Sequence, residues 1–387
     1  MTYYLLTGAS GLLGSYVLRD CFLAGHHMAV LVRPTETQSA RERVDVSLAN
    51  WEDRTGQVLP RPVVLEGDLC RPDAGLTASD LHWVANHCRA VIHGAASLIF
   101  FGPDRQKEPW LTNVEGTRRV LDLCGRCGIR EFHHVSTAYV CGLREGPILE
   151  TEIDLGQQMG NDYERSKLEA EKLVRSAALL QPPTIYRPSI IVGDSQTGYT
   201  SAFHGFYAMV KLAHTLASQI VHRSTTAEMV FQAFNLEGHE RKDYVPVDWV
   251  SAVITHLLGR PEDHGTTYHL TAAEPTPVAL WSRAIQDAVR RYSRMADPSD
   301  SSRRDARWFE EMFLGQAEIY RSYWRDDPRF DRTHTATAAP HLPCPVVDYD
   351  MLLQMAEYAI RTNFGRRPQA PRPRDGLLQT VVTPEGA

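Results

Sequence analysis

Directly after a first apolar run at residues 3–6, the chain reads Thr7-Gly8-Ala9-Ser10-Gly11-Leu12-Leu13-Gly14. Few features restrict a fold as tightly as glycines at this spacing between a strand and a helix. Gly8 allows the tight turn, Gly11 lets backbone approach a pyrophosphate, and Gly14 lets the helix pack on the strand. The helix N-terminus behind them offers unpaired N–H groups and the positive end of its dipole to phosphate. The expected start is the first βα unit of a dinucleotide-binding sheet, with Thr7, Ser10, Leu12 and Leu13 joining the glycines around the cofactor.

The rest of the first half fits such a sheet. Further strand-like runs fall at 28–32, 63–65, 90–93, 132–136 and 184–191, with amphipathic helix patterns at 113–124 and 163–178. Alternation of this kind implies right-handed βαβ crossovers and a Rossmann-type, doubly wound parallel α/β sheet. Residues 1–192 are expected to form this domain, with 244–272 returning to it, by strands at 244–258 and 266–270. Segments 193–243 and 273–364 are expected to build a smaller, mainly helical substrate-binding or lid region. Its helices are expected near 277–292, 303–324 and 349–362. The Pro- and Arg-rich tail, 365–387, is expected to be poorly ordered.

Sites at the strand ends refine the cofactor. The second strand ends in Leu31-Val32-Arg33-Pro34, where an NAD site usually carries a carboxylate for the ribose 2′-hydroxyl. Arg33, with Arg41 and Arg43 nearby, suits the 2′-phosphate of NADP instead, so NADPH is the expected cofactor. Asp68, followed by Leu69 after the third strand, can accept from the adenine amino group. Gly94-Ala95-Ala96 after the fourth strand is small enough for close cofactor passage.

The chemistry rests on Tyr163-Glu164-Arg165-Ser166-Lys167, preceded by Ser136-Thr137. Four residues apart, Tyr163 and Lys167 share one helix face. A phenol of pKa about 10 is a poor acid–base group at neutral pH. A nearby ammonium and a positive nicotinamide are expected to lower it. Thr137 is expected to donate to the substrate oxygen, and Lys167 to bind the nicotinamide ribose.

Taken together, TGASGLLG, Asn113 in NVEGTRRVL, HVSTAYVCG, YERSK and YRPSIIVG resemble the extended short-chain dehydrogenase/reductases over roughly residues 1–275. LVRPTETQSARERV, EGDLCRPDAGL and STAYVCG are similar to the branch of thioester reductases, carboxylic acid reductase terminal domains and fatty-acyl reductases. The resemblance implies that Thr137 is the catalytic hydroxyl, Tyr163 the acid–base and Lys167 its partner. It places Asn113 and Ser136 at the cofactor, and Pro188 and Ile190 beside the nicotinamide. The chain departs from many carrier-linked reductases in having Asp162, not Gly, before the tyrosine. Sugar-nucleotide dehydratases of this superfamily need an acidic pair where Ala138-Tyr139 stand. Epimerases usually hold NAD through an acidic residue after the second strand, where Arg33 stands. Redox-sensing binders usually lose the Tyr–Lys pair that this chain keeps. The reading favoured is NADPH-dependent reduction of a carbonyl on a bulky, largely apolar substrate. Reduction of a carrier- or CoA-bound acyl thioester is the alternative, and an epimerase the second.

Candidates for the substrate wall are Ser97, Tyr139, Tyr199, Phe203, His204, Phe206 and Tyr207; for a lid, Trp308, Phe309, Phe313, Tyr320 and Trp324. Arg290, Arg291, Arg294, Arg303, Arg304 and Arg307 could rim a carrier-docking surface, but Asp297, Asp300 and Asp305 interleave with them, as on ordinary solvated helices. A net charge of −6 over 387 residues leaves no footprint for nucleic acid. No leader or bilayer-length apolar run is evident, and the seven cysteines are expected to be free thiols in a cytoplasmic protein. Cys124 and Cys127 form a CxxC without a second pair, so no metal is expected. A small-molecule or acyl substrate is the expected partner, and a homodimer is compatible with the sequence.

Overall fold

The computed structural model describes residues 2–178, 181–217, 236–292, 321–323 and 325–365. Seven strands form one parallel sheet: β1 (Tyr3–Thr7), β2 (Met28–Val32), β3 (Val63–Glu66), β4 (Cys88–His93), β5 (Glu131–Val135), β6 (Thr184–Pro188) and β7 (Thr267–Leu270). Their order is β7-β6-β5-β4-β1-β2-β3, with every neighbouring pair parallel. Every residue of β2, β6 and β7 is buried, as a sheet covered by helices on both faces requires. The order reverses between β1 and β4, which opens a crevice at their carboxyl ends.

The helices are α1 (Leu12–Leu23), α2 (Ala40–Thr55), α3 (Ala78–His87), α4 (Thr117–Cys127), α5 (Asp162–Ser176), α6 (Phe206–Ala217), α7 (Val247–Leu258), α8 (Val278–Tyr292), α9 (Thr333–Ala338) and α10 (Tyr349–Arg361). Local chemistry sets several starts. Ser39 and Glu42 form a capping box on α2, Thr77 and Asp80 another on α3, and Asn161 caps α5 by accepting from the Glu164 N–H. Helices α6, α8 and α10 make a second core around Met209, Val210, Trp281, Ile285, Leu352 and Met355.

Three expectations are corrected. The run 184–191 is two strands, because Pro188 ends the main ladder and Ile190–Val192 pairs instead with Tyr244–Pro246. The return near 244 is therefore a three-residue strand outside the main sheet, followed by α7. That helix docks on α1, where Ser251 donates to Asp20 at 2.6 Å. The helix expected from 113 begins as a π turn, Leu111–Gly116, before α4. All seven cysteines are free. Among the described residues, no helix is long and apolar enough to cross a membrane. Apart from 321–323, the segment expected as a 303–324 helix lies outside the described residues, as do Trp308, Phe309, Phe313, Tyr320, Trp324, Arg294, Arg303, Arg304, Arg307, Asp297, Asp300 and Asp305. So does the tail beyond 365.

One buried ionic cluster pins α5 to the sheet. Glu171 and Arg187 of β6 are 0% and 1% exposed and meet through two hydrogen bonds, of 2.7 and 3.1 Å. Arg175 donates to the same carboxylate and to Thr267 of β7, while Ser136, just past β5, donates at 2.6 Å. Burial alone would raise the Glu171 pKa, but the two guanidinium groups and Ser136 outweigh it and hold the carboxyl below its ordinary value. Glu171→Ala, which leaves Arg187 charged and unpaired, is expected to cost about 3–5 kcal/mol in chemical denaturation. A loss below about 1 kcal/mol would show that α5 is held by other contacts.

Candidate active site

The glycine turn takes the conformation its residues allow. Gly8 has φ +81°, and a Cβ there would press into the backbone of Gly94 and Ala95 at 2.7 Å. A Cβ on Gly14 would overlap the Gly8 carbonyl, so only glycine lets α1 lie this close to β1. Gly11 is different: its Cβ would meet only the Gly8 oxygen, at 3.3 Å, and the face toward the crevice is open. No side chain caps α1 and no acidic residue lies in its first turn. Its first N–H groups and dipole are therefore available to an anion. These are the features a dinucleotide pyrophosphate requires, and the cradle fits one.

A chain of hydroxyls and one imidazole holds the strand ends behind this turn. The Ala95 N–H donates to Thr7 Oγ1, which lies 2.8 Å from His93 Nδ1, while His93 Nε2 lies 2.9 Å from Thr117 Oγ1. Thr117 itself donates to the Asn113 carbonyl, so His93 must donate through Nε2 and accept through Nδ1. Burial, then the Lys167 charge, lowers the His93 pKa to about 3, which keeps it neutral. Asn113 extends the scaffold: its amide donates to Ser97 O and Ser166 Oγ, and its oxygen accepts from Ser97 N–H. The π turn is what aims this amide at both segments.

At the crevice floor stand Thr137, Tyr163 and Lys167. Thr137 is buried, donates to Pro188 O at 3.4 Å and hydrogen-bonds Tyr163. Lys167 donates to the Val135 carbonyl at 2.7 Å; burial lowers its pKa to about 8, opposed by Glu171 one turn along α5. The expected lowering of the Tyr163 pKa rested on a positive nicotinamide as well as the ammonium, and the protein's own groups act in the opposite direction. Burial, then the Glu164 charge, raises it, and the Thr137 hydrogen bond only partly offsets this. Desolvation of the phenol is the largest of these effects. Tyr163 therefore stays protonated at neutral pH.

Asp162 has a structural reason for its place. Its backbone N–H donates to Phe100 O and its carboxylate accepts from Gly102 N–H, clamping the 100–102 loop beside the tyrosine. The Phe100 ring meets Tyr163 edge-on at 5.6 Å.

These groups open on one cavity of about 590 Å³. Of the residues singled out from sequence, Gly8, Ser10, Gly11, Leu12, Leu13, Gly14, Gly94, Ala96, Ser136, Thr137, Tyr139, Tyr163, Lys167, Pro188, Ile190, Phe203 and His204 line it. Phe206, also a candidate for the substrate wall, lines it too. The Ser136 hydroxyl, however, is taken by Glu171. Others stand behind or beside the wall. Thr7, Ala95, Ser97 and Asn113 belong to the scaffold behind the glycine turn. Leu69 is buried, and Asp68 accepts from the Cys70 N–H in its own turn. Tyr199 is held between Asn50, which donates to its hydroxyl, and the Arg54 guanidinium 3.7 Å above its ring. The Tyr207 hydroxyl accepts from Gly193 N–H in the core. Arg43 donates to Ser10 Oγ at 2.9 Å and to the Arg33 carbonyl, at the rim of the glycine turn. Arg33 is exposed beside it.

Among the lining residues that sequence reasoning missed are Leu98, Phe100, Ser189, Ile191, Met209, Lys242, Tyr244, Trp281 and Tyr323. Most are apolar and come from segments far apart in the chain. Tyr139 donates to Asp327 at 2.9 Å, and Asp327 also pairs with buried Lys242 at 2.7 Å. Lys242 donates to the Tyr323 carbonyl too, which ties the described part of the C-terminal region to the cavity floor. Of the basic residues that could have rimmed a docking surface, Arg290 and Arg291 pair with Asp287 and Glu357 on the helix surface.

Known proteins resemble this chain in sequence and fold. The male sterility protein family model matches residues 6–254. The nonribosomal peptide synthetase asaC of Aspergillus flavus is 26% identical over 286 residues, 70% of this chain and 26% of that protein. The aldehyde reductase lnaA of the same organism is 24% identical over 91% of this chain and 35% of its own length. The chain thus spans about a quarter to a third of these relatives. Among solved structures, the terminal R domain from the myxalamid PKS-NRPS biosynthetic pathway superposes with a TM-score of 0.70 at 25% identity, covering 94% of this chain and 92% of that one. With residues 6–254 matched and this glycine turn and Tyr–Lys helix in place, the chain belongs to the male sterility protein family of NAD-binding, extended short-chain dehydrogenase/reductases.

Proposed function

We propose that this chain is an NADPH-dependent reductase that delivers hydride to the carbonyl carbon of a bulky, largely apolar substrate. The observation that carries this reading is convergence: the glycine turn and Thr137, Tyr163 and Lys167 line one cavity. NADPH, when bound, supplies the hydride. The glycine turn and the start of α1 would hold its pyrophosphate, Arg33 and Arg43 its 2′-phosphate, and Lys167 its ribose hydroxyls through the two N–H groups not given to Val135.

Tyr163, kept as a phenol by burial, is in the form needed to protonate an oxyanion. Thr137 donates a hydrogen bond to the same oxygen as charge develops on it. Phe100, Phe206, Met209, Trp281 and Tyr323 make much of the remaining wall apolar, which suits a greasy acyl or aromatic group and helps keep water from the reacting carbonyl. Leu98 and Phe101, 45% and 57% exposed, extend the apolar character to the surface beside Phe100.

The names of the relatives support a second reading, in which the carbonyl belongs to an acyl thioester. Hydride would add to the thioester carbon and Tyr163 would protonate the oxygen. The resulting hemithioacetal would then lose thiol to leave an aldehyde. Offering the protein NADPH with an acyl thioester and with the matching free aldehyde or ketone separates the two. Consumption of the free carbonyl compound is expected on the first reading. Thiol release with the free compounds untouched would install the second.

Tyr163→Phe is expected to bind NADPH normally and lose roughly 10²–10⁴-fold in turnover, and Thr137→Val to be impaired as well. Near-normal turnover of Tyr163→Phe would remove that residue from the mechanism. NADPH is expected to bind more tightly than NADH. Arg33→Ala should weaken NADPH alone by roughly 10–150-fold, the worth of a charge-assisted contact. Equal affinity of the unsubstituted protein for both cofactors would make Arg33 a surface residue only. Lys167 is cationic below its lowered pKa and loses its proton as pH rises through it. The alkaline limb of kcat/KM is thus expected near pH 8. Glu171→Gln removes a charge that favours the ammonium, so the limb should move to lower pH. An unmoved limb would exclude Lys167 as its source.

A further inference from the structure

At the opposite end of the sheet from the cavity, three side chains converge that no part of the reductase chemistry uses. Glu131 and His133 lie at the start of β5, and His264 lies in the loop that leads into β7. We propose that Glu131 Oε1, His133 Nε2 and His264 Nδ1 form a zinc-binding site that staples the returning segment to the centre of the sheet.

The separations fit a small cation. Glu131 Oε1 lies 3.1 Å from His133 Nε2 and 3.7 Å from His264 Nδ1, and all three atoms fall within 4.8 Å of one another. Four-coordinate zinc with bonds of about 2.0–2.2 Å places its ligand atoms about 3.3–3.6 Å apart. Two of the three spacings bracket that value, and the third is no longer than 4.8 Å. The imidazoles stand nearly perpendicular, at 86°, and do not stack.

Hydrogen bonds behind each ligand already set the nitrogen roles. His264 Nε2 lies 3.0 Å from the Leu257 carbonyl, which can only accept, so Nε2 carries the proton. On a neutral ring, Nδ1 then turns its lone pair toward the Glu131 carboxylate, another acceptor. Two acceptors facing each other at this distance repel, and a cation between them removes the conflict. His133 Nδ1 lies 3.1 Å from the Tyr186 hydroxyl. A hydroxyl both donates and accepts, so His133 can hold Glu131 through Nε2–H without a metal, or present Nε2 as a ligand with it. Partners of this kind are what orient histidines around zinc.

The loop is held ready. Gly265 N–H donates to Thr184 Oγ1 at 3.0 Å, and Tyr268 donates to the Asp263 carbonyl at 2.6 Å, fixing the backbone on both sides of His264. His133 is fully buried, whereas Glu131 and His264 are 27% and 16% exposed, so an ion can enter from solvent and a water can take the fourth position. The Arg89 guanidinium, packed over Tyr4, adds positive charge nearby and weakens the site relative to an all-protein zinc centre. No local pattern announces this site: the CxxC is the metal-like spacing visible in the sequence, whereas these ligands are joined by the fold.

The test uses the full, untagged chain stripped with chelator and titrated calorimetrically with Zn²⁺, with Co²⁺ as an optical probe. One ion per chain is expected. Co²⁺ should show visible four-coordinate absorption without a thiolate charge-transfer band, and saturating Zn²⁺ should raise the unfolding temperature by roughly 2–4 °C. Glu131→Gln and His264→Gln, two substitutions of similar shape, should each weaken binding at least about tenfold. Absence of uptake would overturn the site. Uptake unchanged in both variants, or a thiolate band, would place the ion elsewhere and overturn it as well.

Discussion

The catalytic arrangement depends on how α5 is fixed, and a buried carboxylate fixes it. Glu171 gathers Arg187, Arg175 and Ser136, so one side chain of α5 holds β6 directly, the end of β5 through Ser136, and β7 through Arg175. Tyr163 and Lys167 lie two turns and one turn before it on the same helix. Their position over the sheet follows from that anchor. The same carboxylate sets the charge environment of Lys167, opposing the desolvation that would otherwise lower its pKa further. Position and protonation thus share one cause.

Much of the molecule was legible in sequence because local backbone demands leave a local trace. A turn that needs φ near +81° at Gly8 and no side chain at Gly14 can hardly be written otherwise. The fully buried β2 shows as an unbroken apolar run, whereas β6 and β7 carry Arg187 and His269; a Tyr–Lys pair four residues apart must share a helix face. The strand at 184–191 was harder to divide. Both halves are extended, and only the change of partner at Ser189, from β7 to the 243–246 segment, separates them.

The cavity wall was legible only in part because tertiary path determines it. Phe100 enters the site through the Asp162 clamp, Lys242 and Tyr323 through Asp327, and Trp281 through the packing of α8 on α6 and α10. None has a neighbour in sequence that announces this. Tyr199 and Tyr207 misled in the opposite direction. They belong to an aromatic stretch that does line the cavity through Phe203, His204 and Phe206, but their own hydroxyls are engaged behind it, by Asn50 and by Gly193. Burial is likewise a tertiary effect, and it is the largest influence the protein's own groups exert on the Tyr163 phenol.

The central claim is that the shared cavity is a site of net hydride transfer from a reduced nicotinamide to a carbonyl carbon. NADPH carrying deuterium at the transferable C4 position, incubated with the protein and an apolar aldehyde, ketone or acyl thioester, tests it most directly. One deuterium per turnover is expected on the former carbonyl carbon, with stoichiometric NADP. Product formed while the label stays on the cofactor, or isomerisation without net oxidation of NADPH, would contradict it.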